Sequence, residues 1–149
     1  MLSKPQKLKA TITVGLILLK DDSVLLLRRF NTGYADGQYG LIAGCVDENE
    51  SITTAMIREA YEEAGIILKP EWLTMSCVIQ APQGERDSEC IDFFFVAHQW
   101  ENTPINNEPH KCDDLAFFSL KALPENLIPM VRKALSNRIQ GTYFDQTNW

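Results

Sequence analysis

The chain opens with two runs of apolar and β-branched residues that have the length of β-strands. The first run covers Thr11 to Leu19 and the second covers Ser23 to Arg29. Between them, Lys20, Asp21 and Asp22 supply residues typical of a tight turn. The pattern therefore predicts a β-hairpin.

An irregular segment and then a helical pattern follow the predicted hairpin. Residues 31–40 contain three glycines and two tyrosines, which favours a surface loop near a site. A short strand is predicted over Tyr39–Ala43. Good helix formers fill Ser51–Ala64, with Ser51 as a suitable N-cap and Gly65 where helices commonly end.

The second half returns to strand composition before a last helix. Strands are predicted over Trp72–Gln80, Cys90–Trp100 and Leu115–Ser119, with polar, proline-containing loops between them. A helix is predicted over Pro124–Asn137, with its proline early in the first turn. The order of elements predicts an α/β fold in which a mixed sheet packs between helices.

The bulk composition agrees with one globular domain. Of the 149 residues, 45% are hydrophobic and 23% are charged, which is ordinary for such domains. No apolar run approaches the roughly 20 residues that cross a bilayer, and the N-terminal segment lacks a signal-peptide cleavage pattern. We therefore expect a single domain over residues 1–149 in the cytoplasm, with no membrane partner.

Charge and cysteine usage exclude two further classes. The formal net charge of -6 argues against a nucleic-acid partner, because such surfaces need clustered Lys and Arg. An acidic protein that acts on a phosphate compound must recruit cations. No Cys-x-x-Cys pair or zinc-like spacing is present, so we expect free, mostly buried thiols at all four cysteines: Cys45, Cys77, Cys90 and Cys112.

The first predicted helix places three glutamates on one stripe. With about 100° per residue, Glu62 and Glu63 lie roughly 60° and 40° to either side of Glu59. A solvated acidic face is the usual explanation of such a run. An ion-pair network with Arg58 and a site for a hard cation such as Mg²⁺ or Mn²⁺ are the alternatives, and these residues alone do not decide among them.

A longer segment around this helix carries a resemblance to a known family. Residues 44–66 read Gly44, five residues, Glu50, seven residues, and then Arg-Glu-Ala-Tyr-Glu-Glu-Ala-Gly-Ile. This 23-residue segment resembles the Nudix box at every fixed position. The resemblance implies the Nudix fold, an α/β/α sandwich with a mixed sheet. A departure lies before the box, where Ile42 and Ala43 replace the proline and the first glycine of the common Leu-Pro-Gly-Gly.

The resemblance assigns roles to residues of the box. Glu59, Glu62 and Glu63 look like ligands of Mg²⁺ or Mn²⁺, and the backbone carbonyl of Gly44 looks like a further ligand. Arg58 looks like the residue that orients the glutamates through an ion pair. The remaining fixed positions look structural: Glu50, as the box partner of Arg58, and Gly65.

Further candidates lie outside the box. The segment from Trp100 to Glu108 is similar to a loop of MutT-type members that supplies another carboxylate, which makes Glu108 a candidate ligand or general base. Arg28 and Arg29 resemble the double arginine of many MutT-type sequences, and strand alternation points only one of them inward, as a phosphate contact. Solvated arginines at the end of a strand are the alternative. Aromatic side chains are candidates for stacking on a base, with a core position as the alternative: Tyr34, Tyr39 and Phe117.

The resemblance implies a hydrolase that acts on acid anhydrides, with a small nucleotide as substrate. The leading prediction is MutT-type hydrolysis of a (d)NTP to a nucleoside monophosphate and pyrophosphate. Hydrolysis of ADP-ribose or another nucleoside-diphosphate sugar is the alternative, favoured by Pro82, which lies 16 residues past Ile66 as in some such enzymes. A nucleotide-binding sensor without catalysis is a third hypothesis. A homodimer is expected only from family habit.

Overall fold

The computed structural model describes residues 1–149 and shows a mixed sheet packed between helices. The helices are α1 (Ile52–Ala64) and α2 (Pro129–Gln140), with one 3₁₀ turn at Pro70–Trp72. The strands are β1 (Thr11–Lys20), β2 (Ser23–Arg29), β3 (Tyr39–Gly40), β4 (Ile42–Cys45), β5 (Thr74–Ala81), β6 (Cys90–Ala97), β7 (Cys112–Ser119) and β8 (Phe144–Gln146). The predicted fold class is confirmed.

Strand β1 is the centre of the sheet. It pairs antiparallel with β2 through the predicted hairpin, antiparallel with β4, and parallel with β6. The sheet runs β3-β2-β1-β6-β5-β8, with β4 also on β1 and β7 also on β2. Both faces of β1 are covered, which explains why its residues from Val14 to Leu19 are continuously apolar instead of alternating with polar ones.

Side-chain alternation along β1 builds two cores. Val14, Leu16 and Leu18 pack with the buried face of α1, whereas Ile17 and Leu19 pack with α2. All five of these side chains are at most 3% exposed. The sheet is thereby fixed between the two helices, and the edge of β4 is held next to α1.

Helix α1 begins and ends where its sequence predicts. The Ser51 side chain accepts a hydrogen bond from the Thr54 backbone N–H at 3.1 Å, and Gly65 ends the helix in the left-handed conformation at φ 66°. The face of α1 that lies against the sheet carries small residues and one methionine, all buried: Ala55, Met56, Ala60 and Ala64. Small side chains there let the helix approach β4 closely.

Replacing Ser51 by alanine is expected to destabilise the protein by about 1 kcal/mol, because one N–H of the first turn loses its acceptor. The measurement is the free energy of unfolding in urea. Ser51→Asp is the matched control, since aspartate also caps this position. An alanine variant as stable as wild type would show that the cap contributes nothing here.

The second helix begins later than predicted. The prediction of a helix over Pro124–Asn137 is wrong in its start, because α2 begins at Pro129 and ends at Gln140. Ile128 is extended at φ −57° and ψ 129°, since the residue before a proline is pushed out of the helical region. Residues 124–128 instead run beside β3, where the Tyr39 N–H donates to the Asn126 carbonyl at 2.8 Å.

Other boundaries shift by smaller amounts. The segment Tyr39–Ala43 forms two short strands, β3 and β4, and β7 starts at Cys112 instead of Leu115. Strand β8, which sequence reasoning missed, adds three residues in parallel to β5. All four cysteines are free, and only Cys45 is exposed. Neither helix combines the length and the apolar character needed to cross a membrane.

Candidate active site

A cavity of about 670 Å³ lies beside the contact between β4 and helix α1. Its lining brings together most of the charged residues that the sequence singled out, which are Arg29, Glu59, Glu62, Glu63 and Glu108, together with the backbone of Gly44. The acidic stripe of α1 therefore faces a cavity and not only bulk solvent.

Arg58 ties the acidic residues of the box together. Its Nε and Nη2 donate to the two carboxylate oxygens of Glu50 at 2.7 and 2.9 Å. Its Nη1 donates to Glu59 at 2.8 Å and to Glu62 at 3.2 Å, and Nη2 also donates to the Cys45 carbonyl at 3.0 Å. This pairing lowers the pKa of Glu50 to about 2. One guanidinium thus joins the loop before α1 to two glutamates of the stripe.

Two glutamates of the stripe are partly removed from water. The Glu59 side chain is 13% exposed, and its burial raises its pKa even though Arg58 opposes the shift. Burial raises the pKa of Glu63 well above the ordinary range, and the negative charge of the neighbouring Glu59 raises it further. Glu63 accepts only one side-chain hydrogen bond, from the Ala43 N–H at 3.1 Å. Two neighbouring carboxylates that are partly removed from water are costly to ionise without a cation.

Gly44 lies directly against the Glu59 carboxylate, where β4 contacts α1. A Cβ atom at residue 44 would overlap the Glu59 carboxylate. Only glycine therefore leaves room for that carboxylate beside the strand.

The loop that carries Glu108 is held by the end of helix α1. The Ile105 and Asn107 N–H groups donate to the Ala64 and Glu63 carbonyls at 3.0 and 3.2 Å, and the Asn107 side chain donates to the Glu62 carbonyl at 3.1 Å. These bonds satisfy carbonyl groups that a helix end leaves unpaired. They also place Glu108 on the cavity.

The donors at this site suit a hard divalent cation in kind. Carboxylate and carbonyl oxygens are the ligands that Mg²⁺ and Mn²⁺ prefer, and the partly buried glutamates need positive charge. With Arg58 bonded to Glu59 and Glu62, no three His, Cys, Asp or Glu side chains converge closely enough to enclose an ion. The donor types therefore fit such a cation, but the protein side chains alone do not enclose one, so further oxygen ligands would have to complete its coordination.

The double arginine divides between two environments. Arg29 follows Leu25 and Leu27 on one side of β2 and reaches the cavity, where its Nε and Nη2 donate to Tyr34 O at 2.7 Å and to Thr32 Oγ1 at 3.0 Å. Arg28 points the other way and pairs with Asp113 at 2.7 Å. Arg28 is therefore not brought to the site.

The aromatic candidates are also divided. Tyr34 lines the cavity. Tyr39, which was a candidate substrate contact, is 7% exposed, packs edge-on against Phe118 and donates its hydroxyl to Asp114. Phe117 stacks on Trp100, with ring centroids 6.1 Å apart. The structure does not support Tyr39 as a substrate contact, because its ring belongs to the core.

Sequence reasoning missed one charged pair on the cavity wall. Arg86, from the loop between β5 and β6, bonds to the buried Asp92 of β6, and both line the cavity. The available signal was an acidic residue at a core-facing position of a strand, since charged residues are rarely fully buried unless they are paired. Pro82, in the same loop, does not line the cavity.

A mixed sheet between two helices, with an acidic helix facing a cavity, defines the class of protein. A family model described as the NUDIX domain matches residues 9–137. The chain belongs to the Nudix family, and the prediction from the box is confirmed. It is accordingly a hydrolase of the pyrophosphohydrolase type, acting on acid anhydrides.

Individual relatives agree with this family. An ADP-ribose pyrophosphatase of Methanocaldococcus jannaschii is 29% identical over 121 residues, which are 79% of this chain and 67% of that protein. A MutT NUDIX hydrolase of Burkholderia pseudomallei superimposes with a TM-score of 0.80 at 29% identity, over 86% of this chain and 97% of that one.

A third relative shares the fold alone. It is a bifunctional NMN adenylyltransferase/ADP ribose pyrophosphatase of Francisella tularensis in complex with AMP and a Mn ion. It matches with a TM-score of 0.71 at 20% identity, covering 93% of this chain and 43% of that one.

Proposed function

We propose that this enzyme hydrolyses the diphosphate linkage of a nucleoside triphosphate, releasing a nucleoside monophosphate and pyrophosphate, with Mg²⁺ or Mn²⁺ as cofactor. The observation that carries the proposal is the shared cavity, in which the glutamates of α1, Glu108 and Arg29 face the same space. A triphosphate is the more highly charged of the candidate substrates. Arg29 and Lys111, both on the lining, favour it because they add positive charge beside the acidic residues.

Glu59, Glu62 and Glu63, with the Gly44 carbonyl and Glu108 in support, would hold the cation. A divalent cation bound there would neutralise charge on the phosphate oxygens and would make water easier to deprotonate, so that hydroxide is available as the nucleophile.

The side chains around the cation have separate tasks. Arg58 orients Glu59 and Glu62, and Arg29 offers Nη1, which has no partner in the protein, to a phosphate oxygen. As the water oxygen bonds to phosphorus and the bridging P–O bond breaks, a glutamate accepts the proton of the water. Glu62, Glu63 and Glu108 are the candidates for this base, a role typically worth about 10² to 10⁴ in rate.

A second candidate substrate is ADP-ribose, which would give AMP and ribose 5-phosphate. The Methanocaldococcus jannaschii relative named ADP-ribose pyrophosphatase favours it.

The deciding experiment measures the products of dGTP, 8-oxo-dGTP and ADP-ribose under identical Mg²⁺ and Mn²⁺ conditions, with chelator as control. We expect pyrophosphate and a monophosphate from a triphosphate, at a kcat/KM above that for ADP-ribose. Faster turnover of ADP-ribose would replace the first candidate by the second. Nucleotide binding without release of any product would favour a sensor and contradict both.

A further inference from the structure

Arg86 reaches the cavity from the loop between β5 and β6. Its Nη1 donates to both carboxylate oxygens of Asp92, at 2.9 and 3.1 Å. Asp92 is 3% exposed and also accepts from the Thr13 hydroxyl. Thr13 is the register partner of both Asp92 on β6 and Cys45 on β4, so these residues form a row across the sheet. The guanidinium is thereby fixed over that row.

One edge of this guanidinium is left free. Nε and Nη2 of Arg86 donate to no protein atom, since its only bonds are those from Nη1 to Asp92. No buried side-chain nitrogen or oxygen in the structure lacks a partner, so these two N–H groups lie where solvent or a ligand reaches them. Parallel N–H groups on a rigid guanidinium match a pair of adjacent acceptors.

Fold stability is a weak explanation for the buried pair. Taking two charges out of water costs about as much as their attraction returns, and apolar replacements are often neutral or stabilising. Asp92 and Phe94 lie on the same face of β6, and Phe94 is apolar and buried. A carboxylate there is better explained by what it does to Arg86, which is to hold it in one orientation.

The charges around Arg86 distinguish it from the phosphate end of the cavity. Asp92 balances the positive charge of Arg86 directly, whereas the Tyr34 ring, which lines the same cavity, lies 5.2 Å from the guanidinium carbon of Arg29. The charge of Arg29, by contrast, acts on Glu63 of the acidic stripe. Because Asp92 already balances the charge of Arg86, the free N–H groups of Arg86 suit a pair of uncharged acceptors better than they suit a phosphate.

We propose that Arg86 is a specificity-determining residue that donates from Nε and Nη2 to two adjacent acceptors on the nucleobase, with Asp92 as its positioning residue. The inference rests on the proposed nucleotide hydrolysis. Guanine offers such a pair in N7 and O6, the edge that arginine commonly contacts in a bidentate way. Adenine sets an amino donor beside N7 and does not match.

The test compares steady-state kinetics on GTP, ITP, 7-deaza-GTP and ATP. ITP keeps both acceptors of guanine, whereas 7-deaza-GTP replaces N7 by carbon. Wild type is expected to show similar KM values for GTP and ITP and a KM about 10-fold higher for 7-deaza-GTP and ATP. Arg86→Gln is expected to raise KM for GTP and ITP by about 10-fold and to remove most of the difference between GTP and 7-deaza-GTP. Asp92→Asn should also reduce the difference in KM between GTP and 7-deaza-GTP.

Arg28→Gln is the matched control, because Arg28 pairs with Asp113 outside the cavity; we expect it to keep the wild-type pattern. A KM increase in Arg86→Gln that is equal for all four nucleotides would mean a phosphate contact and overturn the proposal. Unchanged KM values, or a fall in kcat and melting temperature without dependence on the base, would also overturn it. If wild type hydrolyses none of the four, the proposed function fails, and dissociation constants for the same nucleotides and variants still decide the role of Arg86.

Discussion

Glutamine at position 63 is expected to lower cation-dependent hydrolysis by roughly 10² to 10⁴ in kcat/KM without lowering the stability of the cation-free protein. Glu63 is a partly buried carboxylate whose side chain forms no ion pair with Lys or Arg, and it accepts only the Ala43 N–H. Its burial and the nearby Glu59 raise its pKa. A neutral amide keeps an oxygen for Ala43 and removes the cost of a desolvated charge. The substitution should therefore lower activity without lowering the stability of the cation-free protein.

The separation is measured by combining kinetics with thermal unfolding. Wild type should melt at a higher temperature as Mg²⁺ or Mn²⁺ is added, because a ligand that binds only the folded state stabilises it. Glu63→Gln should lose most of this rise while melting in chelator no earlier than wild type. Glu48→Gln is the control, since Glu48 is exposed in the loop before α1 and outside the cavity lining. A Glu63→Gln variant that retains both activity and stabilisation by the cation would show that Glu63 is not part of the site.

The box and its helix were predictable because their determinants are local. Ser51 caps the helix three residues before its bonding partner Thr54, and Gly65 ends it in a conformation that few other residues adopt. The spacing of the glutamates then fixes their common face. None of these inferences needs to know what packs against the helix.

The substrate side of the cavity depends on contacts between distant segments and was predicted only in part. Alternation along β2 predicts that one of two adjacent arginines turns inward, but not which one. The choice follows from Leu25 and Leu27, which pack with α1 and leave Arg29 on the same side. Tyr39 is taken into the core by Phe118, almost 80 residues further along the sequence.

The second helix shows how two equivalent local signals compete. Pro124 and Pro129 both suit the first turn of a helix, and composition does not rank them. The structure begins α2 at Pro129, because residues 126–128 form hydrogen bonds with Tyr39 of β3. A tertiary pairing therefore sets the boundary. Strand β8 escaped prediction for a similar reason, since its three residues form a strand only beside β5.

Alanine at position 44 is expected to lower kcat by about 10²-fold or more, with only a small change in the free energy of unfolding. The added Cβ would occupy the space of the Glu59 carboxylate. Because that carboxylate is the end of a flexible side chain, it can turn away at little cost to the fold. The catalytic cost is larger, since a displacement of about 1 Å in a catalytic group is enough to lose roughly 10²-fold in rate. The φ of Gly44 is not left-handed, so alanine adds no backbone strain.

A double-mutant cycle with Glu59→Ala isolates this contact. If the overlap with Glu59 causes the defect, Gly44→Ala should lower residual activity and cation affinity much less when Glu59 is already alanine, because the two changes share one interaction. Cation affinity is measured by calorimetry with Mn²⁺ and activity by phosphate release from the preferred nucleotide. Additive effects of the two substitutions would show that Gly44 acts independently of Glu59. The role of this glycine would then lie in its carbonyl oxygen or in the strand itself, and not in the room it leaves for a carboxylate.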